Sequence, residues 1–160
     1  MSTQTYQVKA DTCVPVDHSI FGLHAFGEDT RFETDMGTLP AKLLTTQHRL
    51  RTLKGPHVGI EWIERLELDP DTLNRYPDLK PFLITAGQFR PGVPCRNTVL
   101  SPSQKIWTDT AGEAAGSFGS ARMLSENPDR FRDQDISVAY IVLGCSRPSF
   151  LRAEGMWVSC

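Results

Sequence analysis

The chain has 160 residues, of which 39% are hydrophobic and 22% charged, the composition and length of one globular domain with a real core. Seventeen basic residues stand against nineteen acidic ones, for a net charge of −2. No run of Lys and Arg exceeds two residues, so neither nucleic acid nor an anionic membrane is an expected partner.

The longest apolar run, Val138–Leu143, has the length of a strand and falls far short of the ~20 residues that span a bilayer. Met1–Gln7 carries neither a basic start nor an apolar centre, so no secretory signal is expected and synthesis is expected in the cytoplasm. Cys13, Cys95, Cys145 and Cys160 make no C-x-x-C pair, and with His18, His24, His48 and His57 they give no zinc spacing. Free thiols, no metal and no cofactor are expected. Spacing alone leaves a disulfide open.

Residues 1–24 contain scattered turn-formers and a short apolar pair, Ile20-Phe21. They read as an arm that packs back on the domain or onto a partner. Residues 25–160 form the domain. Thr30–Thr34 alternates polar and apolar residues and stops at Asp35-Met36-Gly37, where glycine permits a positive φ. Leu39–Leu44 is a second segment, and Arg49–Leu53 alternates again before the breaker Lys54-Gly55-Pro56. Val58–Leu68 has apolar residues at 58, 60 and 62, then at 63, 66 and 68. That is a strand whose buried face changes near Trp62-Ile63, as at a β-bulge.

Asp69 is placed to cap a short helix through Tyr76, with Pro70 in its first turn. Pro77 ends it. Pro81–Ala86 and Lys105–Thr108 are further strands, and Gly119–Leu124 is a helical turn before Asn127-Pro128. Ile136–Leu143 is rich in β-branched residues and too continuous to have one wet face. Phe150–Val158 closes the chain. Many short strands with regular turn signals predict an all-β domain with one or two short helices.

Several separated strings keep a common order and spacing: Phe26 and Thr30, Thr34–Gly37, Leu39–Leu44, Arg49–Thr52, Glu61–Glu64, Pro77–Gly87, Pro91–Pro94, Ser101-Pro102, Tyr140–Leu143 and Ala153–Trp157. Together they resemble bacterial Hint domains, the hedgehog/intein self-processing module. The resemblance implies a horseshoe of short strands with pseudo-twofold halves. It also implies a chemistry: a first-position Cys or Ser attacks the preceding carbonyl, a Thr/Ser-x-x-His element protonates the leaving nitrogen, and a late Asp/His element assists further proton transfers.

In that register the first position is Ala25, which has no attacking atom. The second element reads Ser101-Pro102-Ser103-Gln104, with the hydroxyl kept and the histidine absent. The late element reads Ser146-Arg147-Pro148-Ser149, with Pro148 where histidine is expected. Three residues follow Trp157, so no second flank for splicing is expected. Acid–base help alone contributes ~10²–10⁴ in rate, and without a nucleophile no covalent route exists. No catalytic residue is therefore expected.

The surviving polar groups have structural readings. Ser101 and Gln104 are placed to hydrogen-bond backbone near Ala25. Cys13 lies outside the register, His24 flanks it, and His48 is an exposed turn residue. Trp62, Trp107 and Trp157 are packing residues. The functional expectation is a non-catalytic structural or interaction protein in a larger assembly, such as the capsid or tail of a phage-like particle, with protein partners or copies of itself. The alternatives are autoprocessing with a displaced nucleophile, Cys13 or Ser101, and a small-ligand or glycan-binding module around Trp62 or Trp107.

Overall fold

A computed structural model describes residues 3–8, 23–108 and 117–160, the first of these by backbone alone. Thirteen strands make one continuous sheet among the described residues. In chain order they are β1 (Thr3–Val8), β2 (Phe26–Gly27), β3 (Arg31–Thr34), β4 (Gly37–Pro40), β5 (Arg49–Leu50), β6 (Val58–Leu68), β7 (Phe82–Ile84), β8 (Thr98–Leu100), β9 (Lys105–Thr108), β10 (Ser117–Ser120), β11 (Val138–Cys145), β12 (Phe150–Ala153) and β13 (Met156–Ser159). The hydrogen-bonded order is β10-β9-β13-β12-β3-β5-β6-β11-β2-β8-β7, with β4 beside β3 and β1 beside β6. This open path curls into a half-barrel, the all-β horseshoe that the sequence predicts. Two short α-helices interrupt it, α1 (Pro70–Arg75) and α2 (Ala121–Leu124).

The hinge of the architecture is β6. Gly144 of β11 pairs with Trp62 but the next residue, Cys145, pairs with Ile60, so Glu61 is the extra residue of a bulge. Before the bulge Val58 and Ile60 are buried, and Ile63 continues the same core after it. Leu66 and Leu68 then point to the other face and enter a second core. β11 serves both cores at once, with Ile141 and Leu143 in the first and Tyr140 and Val142 in the second. Its unbroken apolar run follows from two dry faces.

The second core is closed by α1 and the turn after it, which supply Leu73 and Leu79. Asp69 caps α1 as the sequence predicts, its carboxylate accepting from Thr72 N at 2.7 Å, a contact worth about 1 kcal/mol. Buried Tyr140 donates its hydroxyl to Leu79 O at 2.8 Å, fixing that turn to β11. In the last hairpin, Glu154 and Gly155 both have positive φ, 52° and 79°, as two-residue hairpin loops require. The buried Glu154 carboxylate holds this position by accepting from Arg31 N at 3.0 Å and pairing with Arg96 at 3.2 Å.

Several predicted elements are shorter or different. Leu39–Leu44 leaves the strand at Pro40 for a 3₁₀ turn over Ala41–Leu43. Arg49–Leu53 is regular only over two residues, with a single bridge from Thr52 to Leu151 beyond. The helix expected from Gly119 starts at Ala121, because Gly119 and Ser120 still pair with β9. β2 and β8 are not foreseen. The arm packs back in part: β1 lies parallel to β6, Thr3 opposite Ile63 through Val8 opposite Leu68.

At the bulge a Cβ on Gly144 would come within 1.9 Å of Trp62 Nε1, so the indole covers a site that only glycine leaves open. Gly144→Ala is expected to displace the ring and cost about 1–3 kcal/mol in urea unfolding. In a Trp62→Ala background most of that cost should disappear.

Candidate functional site

Three segments meet where the sheet passes from β2 to β8. The first is Leu23-His24-Ala25, leading into β2. The second is the turn Ser101–Gln104 between β8 and β9. The third is the end of β13, Ser159. β8 pairs with β2 through Leu100 and Phe26, which sets Ser101 beside Ala25. Ser101 N donates to Ala25 O at 3.0 Å, and Ala25 N donates to Ser101 Oγ at 3.0 Å. The hydroxyl in turn donates to Leu23 O at 2.7 Å. Ser101 thus holds three successive peptides, Leu23–His24, His24–Ala25 and Ala25–Phe26, by one contact each, and a hydrogen bond to the backbone near Ala25 is what the sequence anticipates.

Ala25 is fully buried, packed with Leu66, Tyr140 and Val142. The position offers only a methyl group to the adjoining carbonyl. Because Ser101 Oγ accepts from the Ala25 N–H, it lies close to the plane of the His24–Ala25 peptide.

Gln104 departs from expectation. It is fully buried, yet its side chain does not reach the backbone at Ala25. Its Nε2 donates to Lys105 O at 3.0 Å and to Ser159 O at 2.9 Å, and also lies 3.2 Å from Ser159 Oγ. Two carbonyl acceptors fix the amide orientation. Gln104 Oε1 therefore points the other way, and no described residue pairs with it. Ser159 Oγ continues the chain to His24 Nδ1 at 3.0 Å.

Burial first, then the charge of Lys105, holds His24 below the usual histidine range. Ser159 Oγ and His24 Nδ1 share one hydrogen bond, whose direction is set by the tautomer of the ring. Gln104, Ser159 and His24 form one relay, at the edge of a cleft of about 500 Å³ that His24, Asp78, Ser103, Lys105 and Arg122 line.

Residues 24–159 match the model of a family described as Hint domain. The chain is a member of the Hint domain family. No curated protein and no solved structure matches it. For this Hint domain the match begins one residue before Ala25, at His24, and it takes in Ser101, Gln104 and the Ser146–Ser149 segment.

The remaining sequence candidates are dispersed. Pro148 is exposed in the β11–β12 connection. Its neighbour Ser149 accepts from Cys160 N at 2.9 Å, so the late segment touches the end of β13 and not Ala25. His48 is half-buried, and its Nδ1 accepts from Thr45 N at 3.0 Å to close a local turn. Trp157 is buried, with the Arg152 guanidinium 4.7 Å from its ring centroid. Trp107 lies opposite it in the β9–β13 ladder. Trp62 stands 40% exposed on the bulge. Cys13 falls outside the described residues. No group of three or more metal-ligating side chains occurs among the described residues, and no described helix is long and apolar enough to cross a membrane.

Ser159 and Lys105 are functional neighbours that sequence reasoning misses. Ser159 lies 55 positions from Gln104 and 135 from His24, and only the register of the last hairpin brings it there.

Ser101→Ala removes the acceptor of a buried N–H, and a destabilisation of about 1–3 kcal/mol is expected from chemical unfolding. His24 has a separate signature. Because its folded value lies below 6.5, the unfolded chain takes up the proton first as pH falls, and stability drops below about pH 6.5. His24→Asn should flatten that part of a urea-midpoint profile between pH 7 and 5.

Proposed function

We propose that this Hint domain does not process itself and works through contact with other proteins. The observation that carries this reading is Ala25: the position that starts Hint chemistry is a buried methyl group, held under Ser101 with no attacking atom in reach. Gln104 supports it, since its buried amide donates to two carbonyls and a neutral amide transfers no proton at pH 7. Proline at position 148 removes the late proton carrier as well. What persists is the positioning hydroxyl, Ser101, which now ties the entry of β2 to β8.

A contact role suits a near-neutral charge balance and a cleft whose charges are mixed. A capsid- or tail-associated subunit of a phage-like particle is the assembly this reading favours, with other proteins or further copies of the chain as partners and neither nucleic acid nor membrane.

A second reading has one observation behind it. Ser159 Oγ stands 3.0 Å from a neutral His24 ring, the pairing of a displaced nucleophile and base. Three clefts among the described residues, beside Glu28, Cys160 and His24, are lined by neither Trp62 nor Trp107.

Long incubation of the purified chain with hydroxylamine, followed by intact-mass measurement, separates the two. The contact reading expects one unchanged mass, no adduct on Ser159 from a fluorophosphonate, and self-association or co-purifying protein in native mass spectrometry. A fragment beginning at Ala25, or a fluorophosphonate on Ser159, would make the chain an enzyme.

A further inference from the structure

Cys145 and Cys160 are distant in sequence from each other's strands but adjacent in space. Cys145 ends β11 at the bulge, opposite Ile60. Cys160 follows β13 and is fastened by its N–H to Ser149 O at 2.9 Å. Its thiol donates to Leu143 O at 3.3 Å, on the same strand as Cys145 and two residues before it. Cys145 thus lies two residues along the strand that the Cys160 thiol touches, and each thiol perturbs the other's acidity. Both are half-buried against the first core, and neither has a disulfide partner.

We propose that Cys145 and Cys160 form a redox modification site, at which a small-molecule disulfide closes a reversible cross-link between β11 and the end of β13. Access is from one side. Cys160 lines an open cleft of about 460 Å³ together with Lys54, Arg147 and Ser149, and the side chains that line it include no carboxylate. The two cationic side chains favour an anionic reagent such as oxidised glutathione.

The order of attack follows from the surroundings. Cys160 lines the cleft and Cys145 does not; the neighbouring Cys145 also holds Cys160 below the ordinary thiol range, while the same pairing, burial and Glu61 push Cys145 above it. Cys160 attacks first. Its thiolate displaces one glutathione thiolate and leaves a mixed disulfide on Cys160. Cys145, giving up its proton, then attacks Cys160 Sγ and displaces the second glutathione. The protein loses two protons and two electrons, and oxidised glutathione becomes two molecules of the thiol.

The cross-link would enclose the whole β12–β13 hairpin and fix the residue next to Ser159. The relay from Gln104 through Ser159 to His24 thus hangs on an anchor whose strength depends on redox state. This site is independent of any self-processing chemistry, and it stands whether or not the contact reading does.

The test uses the full chain, reduced and then exposed to oxidised glutathione. Expected are a loss of about 2 Da, a Cys145–Cys160 peptide on non-reducing digestion, and a thermal midpoint raised by roughly 5–10 °C, as closing a loop of this size implies. Phenylarsine oxide, which bridges two close thiols, should bind the reduced chain one to one and bind neither Cys145→Ser nor Cys160→Ser. Linkage of either cysteine to Cys13 or Cys95, or stable glutathione adducts on both, would overturn the proposal. So would arsenical binding retained in either variant.

Discussion

One constraint organises the molecule: β6 must serve two cores with a single strand. Val58, Ile60, Leu66 and Leu68 would all fall on one face of an unbroken period-two strand, and the extra residue at Glu61 sends the first pair and the second pair to opposite faces. Ile63 then continues the first core while Leu66 and Leu68 turn to the second. β11 follows β6 across the bulge and is dry on both faces, so the two cores are laid on opposite sides of one pair of strands. The bend also fixes what surrounds it. Trp62 is turned outward over Gly144, and Cys145 is re-aimed at the position where β13 ends.

From that frame the placement of the site follows in short steps. β2 adds to β11 through Phe26 and Gly27, and β8 adds to β2 through Leu100. Ala25 is thereby drawn into the second core, and Ser101 is set against its peptide. The scaffold still presents a backbone peptide to a hydroxyl with the geometry of a positioning contact. Position 25 itself carries only a methyl group. The hydrogen bonds of Ser101 join the entry of β2 to β8, and their free-energy contribution is of the order expected for any buried pair.

Much of this was legible in the sequence where local physics and tertiary context agree. The phase change at Trp62-Ile63, the Asp69 cap, the two-faced run of β11 and the last hairpin each depend on residues close in the chain. Ser101 could be assigned because its motif fixes its offset from Ala25. The rest was hidden for a stated physical reason in each case. β2 and β8 are two and three residues long, too short to show a period, and they exist because they pair with each other, β2 also with β11 and β8 also with β7. Gly119 looks like the start of a helix, but its backbone is taken by β9. Gln104 was assigned to Ala25 from its motif alone. Its amide instead follows the carbonyls of Lys105 and Ser159, one of which lies 55 residues away. Long-range register, not residue type, decided those partners.

On the reading proposed above, the Hint fold persists while position 25 lacks a nucleophile, and supplying one tests this most directly. In Ala25→Cys, prolonged thiol treatment should release a fragment beginning at residue 25, detected by mass, while the natural chain under the same conditions keeps its full mass. Cleavage of the natural chain, or a folded Ala25→Cys variant that stays whole, would contradict the account.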